Sequence, residues 1–405
     1  MTIASLINRR DTRVNLLIGT GHFCSHFYQL CLPPLFLVWQ QQFAVSFAEV
    51  AVATVAMSVA CAVLQTPYGF LVERFGARWF LIGGTALMSG SIALMAFATT
   101  FWQIIILALA SGVGNAVFHP ADYSILAGSV SKDRIGRAFA LHSFTGYIGF
   151  AAGPAVVAGL LGVVGWRGAL FIVGVAGLPV AAALLWQSRI LQDEMRKKAE
   201  HRRLSIRDLL FEPTMVLFFL FYLLVSMAGS GVQAWLITIL HQTKDIDLRM
   251  ASWALTAFFI GVSGGTLVGG WAADRSKRHL ALGIIVLMSA TAVLLLIVDL
   301  LPMGAALVIG LMLIAGVTLG GSRTPRDIML KDAAPPGEIG KVFGYVSAGL
   351  PLGSALTPVP FGFIIDQGKP QLVLVLSAAL LLASLLCMGS AKTSARRAAW
   401  AGAAE

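Results

Sequence analysis

Twelve apolar runs, each long enough to cross the ~30 Å hydrocarbon core of a membrane as a helix, constrain the fold of this chain more than any other feature. The composition agrees, with 58% hydrophobic residues, 12% charged residues and a mean hydropathy of +0.83. A soluble enzyme is excluded, and the predicted class is an all-α membrane protein. In chain order, we number the predicted spans one to twelve: residues 15–38, 47–72, 79–98, 102–127, 137–163, 168–187, 214–240, 252–273, 280–300, 304–329, 340–365 and 371–390.

The second half of the sequence repeats charged and polar patterns of the first half. The turn after span two, Gly69–Arg78, returns after span eight as Gly270–Arg278, and His119–Asp122 returns 205 residues later as Thr324–Asp327. Six spans per copy is an even number, so both copies insert with the same orientation. The sequence predicts two pseudo-symmetric six-helix bundles, residues 1–187 and 214–405, joined by a basic cytoplasmic linker, residues 188–213.

Lysine and arginine are distributed unevenly along the chain. Of the 29, two lie within span ten and four lie in loops that would be outside, while the other 23 fall in segments that would be cytoplasmic. The positive-inside rule therefore predicts cytoplasmic termini in a bacterial-type inner membrane. The net charge of +10 reflects this asymmetry and attraction to lipid headgroups, and indicates no nucleic-acid partner.

The turn after span two resembles the signature G-x-x-x-D-R-x-G-x-R of the major facilitator superfamily. Glu73 replaces the usual Asp, and in the second copy Lys277 replaces the later Gly. A carboxylate here can pair with neighbouring arginines and accept hydrogen bonds from a helix N-terminus, which predicts a cytoplasmic gate. The alternative is simple anchoring of the topology by positive charge. The predicted gate residues are Gly69, Glu73, Arg74, Gly76, Arg78, Gly270, Asp274 and Arg275.

Two shorter motifs point to a subfamily. Gly149, Gly153 and Pro154 in span five are similar to the first part of the superfamily's antiporter motif, although only Gly159 follows. The segment Phe118–Pro120 resembles span four of fosmidomycin-resistance-type exporters. These resemblances imply export by exchange with protons, whereas Ala108, where drug exporters commonly carry an arginine, argues against a mechanism copied directly from them.

Ionisable and polar groups inside the spans mark the predicted substrate and proton cavity, because a charge at mid-membrane costs ~3 kcal/mol or more without a partner. The resembled family lines its cavity with spans one, four, seven and ten. Two arginines and several histidines outweigh two carboxylates, which predicts an anionic substrate. The predicted residues are His22, His26, His119, Asp122, Gln233, Arg323, Arg326 and Asp327.

Roles within that set follow from charge chemistry. His26 and Asp122 are predicted to control proton linkage, and Arg323 and Arg326 to attract the anion. A structural alternative remains, in which Asp122 and Asp327 form salt bridges near the cytoplasmic side with Arg137, Arg326 or Lys341. His142, in span five, is predicted to be structural.

Three classes of function compete, and secondary transport by alternating access is predicted. Three variants of transport are considered: proton-coupled export, proton-coupled uptake of an organic anion, and multidrug export. The other two classes are an enzyme and a non-transporting receptor on the same fold. For an enzyme, His22-x-x-x-His26 has metal-ligand spacing but no third ligand in register, so no metal, cofactor or catalytic residue is predicted. No phosphate-binding glycine loop indicates ATP. The predicted partners are a small-molecule substrate, protons and membrane lipids, with no obligate protein partner.

Overall fold

The computed structural model describes residues 10–131, 134–193, 212–276, 279–334, 342 and 345–401, and every regular element within them is a helix. The chain divides into two compact units, Met1–Ala199 and Glu200–Glu405. The α-helices of the first unit are α1 (Arg10–Leu30), α2 (Phe36–Phe43), α3 (Phe47–Phe75), α4 (Ala77–Met95), α5 (Phe101–Asn115), α6 (Phe118–Ser129) and α7 (Ile135–Trp186). Those of the second unit are α8 (Pro213–Lys244), α9 (Leu248–Arg275), α10 (Leu280–Leu300), α11 (Ala305–Ala333), α12 (Gly349–Leu356), α13 (Pro358–Asp366) and α14 (Gln371–Ala401).

Ten helical segments among the described residues are long and apolar enough to cross a membrane. One of them, residues 137–186, contains two spans, because Gly165 adopts φ 68° and ψ 175° and interrupts α7. Only glycine enters that backbone region without strain. The first span, α1 with α2, is less apolar than these ten, because α1 carries charged residues at its start and polar ones along its length, among them His22 and His26. Counting both gives the twelve spans that the sequence predicts.

Proline interrupts three spans that the sequence predicts as continuous. Span one breaks into α1 and α2 at a 3₁₀ turn that starts at Pro33, and span eleven breaks into α12 and α13 before Pro358. Span four breaks at residues 116–117, where Pro120 has no N–H to donate to the carbonyl of Ala116. The break in span four sets the start of α6, the helix that carries His119 and Asp122.

Glycine brings pairs of helices into backbone contact within each unit. In the first unit, a Cβ added at Gly149 or Gly153 of α7 would meet the carbonyls of Phe23 or Phe27 on α1. In the second unit, α8 and α12 make the equivalent contact through Gly349 and Gly353. Helices in lipid gain little from hydrophobic burial, so close backbone packing of this kind stabilises their association.

The closest helix pair of the second unit is α9 with α11. Three glycines of α9 at a spacing of four residues face backbone atoms of α11, and two glycines of α11 face backbone atoms of α9 in return. We call this contact the glycine ridge; its members are Gly261, Gly265, Gly269, Gly316 and Gly320. No side chain can lie between the two helices along the ridge.

Candidate functional site

Two histidines of α1 begin a cluster of imidazoles inside the first unit. His22 and His26 are four residues apart, which places them on one face of the helix. Their ring centroids are 4.4 Å apart, with an interplanar angle of 61°. His22 is 2% exposed, and His26 is half-buried.

Helix α6 brings His119 and Asp122 to the same region. The His119 ring lies 5.5 Å from His22 and 6.4 Å from His26, measured between centroids. Asp122 is fully buried, three residues further along the same face. The structure therefore brings together four of the predicted cavity residues, His22, His26, His119 and Asp122.

His142 of α7 completes the cluster, which we call the histidine cluster: His22, His26, His119, Asp122 and His142. Its ring stacks on His22 at 3.5 Å between centroids, and its Nε2 lies 2.9 Å from Asp122 Oδ2. The structural alternative for Asp122 predicted an arginine or a lysine as its partner, and the partner in the structure is this histidine. The difference arises because the rotation of α7, which the sequence does not encode locally, decides which side chain faces α6.

Hydrogen positions in the cluster are assigned from the bonding partners. His22 Nδ1 lies 2.8 Å from the backbone carbonyl of His142, and a carbonyl oxygen only accepts, so Nδ1 carries the hydrogen. Several other buried polar atoms have no hydrogen-bond partner among the residues that the structure describes. They include His22 Nε2, His119 Nδ1, His142 Nδ1 and Asp122 Oδ1.

Neighbouring small and polar residues hold the cluster in place. Asn115, at the end of α5, donates from its amide to the carbonyl and the hydroxyl of Ser25 at 3.1 and 3.0 Å. A Cβ added at Gly146 of α7 would lie 2.7 Å from His22 Cε1 and 3.1 Å from His26 Cε1. Neither Asn115 nor Gly146 was predicted, because neither belongs to a charged or repeated motif.

In the second unit, α8 and α11 form a separate charged group. Arg326 donates from Nε and Nη2 to Asp327 Oδ1, both at 2.9 Å, and its guanidinium carbon lies 4.0 Å from the centre of the Tyr222 ring. The Tyr222 hydroxyl donates to the same carboxylate oxygen at 2.6 Å. This is the salt bridge that the sequence offers as an alternative for Asp327. Tyr222 was missed, since an isolated tyrosine in an apolar run gives no sequence signal.

Serines occupy the positions of α8 that answer to the α1 histidines. Ser226 donates to the carbonyl of Leu350 at 2.5 Å, and both Ser226 and Ser230 lie 3.1 Å from the hydroxyl of Ser354. Hydroxyls in this arrangement link α8 to α12 and cannot carry a positive charge. The two units therefore use equivalent positions for different chemistry.

The remaining predicted cavity residues lie on the same two helices as the charged group. Gln233 on α8 and Arg323 on α11 are half-buried. Trp235, next to Gln233, is fully buried and donates to the carbonyl of Pro358 at 3.0 Å. That indole is therefore part of the core of the unit and does not act as an anchor at the membrane surface.

The predicted gate lies at the junction of α3 and α4. The side chains of Glu73 and Asp274 lie outside the described residues. Gly76 has φ 89°, and the following amide, of Ala77, donates to Asp193 Oδ2 at 2.9 Å. A carboxylate at the N-terminus of α4 is thus present, and it belongs to Asp193.

The arginines of the predicted gate lie near aromatic rings of their own helices. Arg74 is 5.1 Å from the centre of the Phe75 ring, and Arg78 is 5.2 Å from that of Trp79. Arg275 is 4.0 Å from that of Trp271. Beside them, a Cβ at Gly69 would meet no atom within 4 Å, and one at Gly270 would meet Thr324 at 3.7 Å. Neither glycine is required by a tight contact.

The fold and these groups define a class, a multi-pass membrane transport protein built from two six-helix units. The chain belongs to the Major Facilitator Superfamily, whose family model matches residues 18–247 and 214–401. The resemblance predicted from the charged turns is confirmed, as is the all-α class with twelve spans. The protein is a transporter and not an enzyme.

Relatives and solved structures agree with this membership. The fosmidomycin resistance protein of Escherichia coli (strain K12) is 24% identical over 377 residues, covering 91% of this chain and 90% of that protein. The probable L-galactonate transporter of the same strain is 24% identical over 283 residues, covering 66% of this chain and 62% of that protein.

Among solved structures, a bacterial homolog to the human lysosomal transporter Spinster, in an inward-facing and occupied conformation, superposes with a TM-score of 0.80. The match covers 95% of this chain and 97% of that chain at 14% identity. At that identity, the likeness shows the fold alone.

Proposed function

We propose that this transporter exports a small organic anion across the inner membrane in exchange for protons, by alternating access. Two relatives support the substrate class, since fosmidomycin carries a phosphonate and L-galactonate a carboxylate. The antiporter-like segment at Gly149, Gly153 and Pro154 supports exchange rather than co-transport.

The contact between Asp122 and His142 is the observation that carries the proposal of proton coupling. Asp122 is 0% exposed and His142 is 2% exposed, and 2.9 Å separates their bonded atoms. An ionised carboxylate away from water costs several kcal/mol unless it is paired. A proton that joins this pair on one side of the membrane and leaves on the other would link transport to the proton gradient.

Other titratable groups face Asp122 from the helices packed around it. His142 comes from α7, His22 from α1, and His119 and Tyr123 share α6 with it. Asp122 is the single carboxylate of the histidine cluster, so it is the group that we assign to the proton. The sequence predicts that His26 shares this role, and the proposal assigns the proton to Asp122 alone.

The charged group of α8 and α11 supports binding of an anion. Arg323 and Arg326 carry positive charges that do not titrate, and Asp327 pairs with Arg326. Asp327 is 44% exposed, whereas Arg326 is 11% exposed. An anionic substrate with two oxygens could replace the Asp327 carboxylate on the guanidinium of Arg326, while the Tyr222 ring keeps the guanidinium in place.

Purified protein in liposomes that contain a pH-sensitive dye tests the proposal. Small phosphonates, carboxylates and lipophilic drugs are added in turn, and the Asp122→Asn variant serves as the control for coupling. Proton movement opposite to the anion supports export by exchange, and movement in the same direction supports the alternative of uptake with protons. Responses to lipophilic drugs alone, or equal responses from Asp122→Asn, would overturn the proposal.

A further inference from the structure

Three imidazoles from two helices converge in the first unit, and the proton-coupling proposal uses none of them. We propose that His22, His26 and His119 bind one divalent transition-metal ion, with Zn²⁺ as the best match, and leave a fourth coordination position open. This site goes beyond anion exchange and does not depend on it. The sequence register contains no third ligand for His22 and His26, and the fold supplies one by bringing α6 against α1.

The separations of the three rings suit a shared ion. With Zn–N bonds of about 2.1 Å, tetrahedral geometry places imidazole centroids roughly 5 Å apart. The three observed separations are 4.4, 5.5 and 6.4 Å, and the rings are inclined to one another by 61°, 65° and 85°. Imidazoles packed only for contact can stack in parallel, as His22 and His142 do at 14°; the three ligand rings do not.

The ligand atoms of the three residues lie close enough together to bind one ion after small side-chain rotations. One nitrogen from each ring lies within 4.8 Å of the others. A tetrahedral Zn²⁺ site requires about 3.3 Å between ligand nitrogens, given the bond length above. The rings would therefore move by about an ångström or less each, and His26 and His119 are half-buried, so an ion can reach them.

The hydrogen bond of His22 prepares it as a ligand. Because Nδ1 donates to the carbonyl of His142, the lone pair of the neutral ring is on Nε2. That atom is buried and has no hydrogen-bond partner in the described part of the chain. Histidines that bind metals in proteins share this pattern, in which the second ring nitrogen donates to a carbonyl or carboxylate that fixes the tautomer.

Two further observations favour a bound cation over histidines that pack together without one. His119 Nδ1 is also buried without a partner among the residues described. Asp122 has a carboxylate oxygen within 4.8 Å of a His22 nitrogen, and it holds His142 by a hydrogen bond. A negative charge at this distance lowers the cost of burying a divalent ion without occupying a coordination position.

The donor set selects the class of metal. Three imidazoles favour Zn²⁺, Co²⁺, Ni²⁺ or Cu²⁺, whereas Mg²⁺ and Ca²⁺ prefer oxygen ligands. Three protein ligands also leave the fourth tetrahedral position for water or for an anionic oxygen. Gly146 leaves room for the ligand rings, since a Cβ there would press on the His22 and His26 rings.

Equilibrium metal binding to the full chain tests the proposal. The protein is purified in detergent without a polyhistidine tag, stripped with chelator and titrated with Zn²⁺ and with Co²⁺. We expect one ion per chain, intense visible absorption from tetrahedral Co²⁺, and three imidazole ligands by zinc X-ray absorption. His26→Ala and His119→Ala should weaken binding by more than the ~10–100-fold typical of outer-shell changes.

The matched control is His279→Ala, because His279 is exposed and lies in the second unit; it should bind as the unsubstituted protein does. X-ray absorption is measured on the unsubstituted protein, so it still tests the proposal if a variant fails to fold. The proposal is overturned if the protein retains no ion above a detergent blank. It is also overturned if the bound ion has only oxygen ligands, or if folded His26→Ala and His119→Ala bind with unchanged affinity.

Discussion

At the scale of single residues, equivalent carboxylates of the two units have different surroundings. Asp122 is fully buried against a histidine, whereas Asp327 is 44% exposed and paired with an arginine. A histidine can exchange its proton and an arginine cannot. The first carboxylate therefore suits a group that changes charge during transport, and the second suits one that holds a permanent cation in position.

Asp122→Asn tests the first role. The amide keeps the shape of the side chain and can still bond His142, but it cannot be ionised. We expect anion transport in liposomes to continue at a reduced rate and to lose its dependence on an imposed pH gradient. The control Asp332→Asn changes an exposed carboxylate and should leave that dependence intact. If Asp122→Asn responds to the gradient as the unsubstituted protein does, the assignment is wrong.

Arg326→Lys tests the second role. Lysine keeps the charge but lacks the rigid, planar pair of N–H donors that Arg326 presents to one carboxylate, and it cannot lie flat over the Tyr222 ring. Losing a hydrogen bond to a charged group costs about 1.5–3 kcal/mol, so the anion concentration for half-maximal transport should rise roughly tenfold or more. The same replacement at the exposed Arg249 should have no such effect, and a lack of difference between the two variants would contradict the assignment.

The side chains that share one face of a helix could be predicted from sequence, whereas the side chains that pair between different helices could not. The spacing of His22 and His26, and of His119 and Asp122, correctly indicates shared helix faces. The approach of His119 to His22, and the choice of His142 as the partner of Asp122, depend on how whole helices rotate against each other. No local pattern records that rotation, so the approach of the three histidines that we propose as metal ligands could not be predicted from sequence either.

At the scale of helices, the proline breaks within spans show what an apolar sequence pattern can and cannot predict. Hydropathy predicts where a span lies, because the length of the hydrocarbon core sets it. It does not predict that Pro33 or Pro120 divides a span, since proline occurs both inside membrane helices and at their breaks. The short helix α6 results from such a break, and it turns His119 toward α1.

Gly149→Ala tests the close contact of α7 with α1. The new methyl group would press on the carbonyl of Phe23 and lie 3.0 Å from the amide of Phe27. Overpacking of this kind costs typically about 1–3 kcal/mol, so the melting temperature in detergent should fall. Gly159→Ala is the matched control, because a Cβ there meets no atom within 4 Å. A melting temperature as high as that of the control would show that α7 can move away freely.

At the scale of the whole chain, the repeated pattern predicts helix number and orientation together. Two copies of six spans predict that both termini are on one side, and the charge distribution predicts that this side is cytoplasmic. The contacts of α1 with α7 and of α8 with α12 are equivalent in the two units, and the repeat did not predict them. The sequence does show that the units differ in chemistry here, because Ser226 and Ser230 stand 204 residues after His22 and His26.

Reporter fusions test the orientation. Alkaline phosphatase, which folds only outside the cytoplasm, should be active when fused at the loop after Lys244 and inactive when fused after Asp193. The loop and the linker lie on opposite predicted sides because a single span, span seven (α8), separates them. The reverse pattern of activity would mean that the positive-inside prediction is wrong for this protein.

The glycine ridge between α9 and α11 has a consequence for how this gene can vary. Every single-nucleotide missense change at a glycine codon introduces a residue with a Cβ, and at Gly261, Gly265, Gly269, Gly316 and Gly320 that atom would meet backbone of the facing helix. Backbone cannot move aside as a side chain can. These codons therefore have no tolerated one-step missense neighbours. In a saturation mutagenesis library selected for function, these codons should be depleted of missense variants in two series, each with a spacing of four codons. Gly264, which lies between Gly261 and Gly265, should remain permissive, because a Cβ there meets no atom within 4 Å.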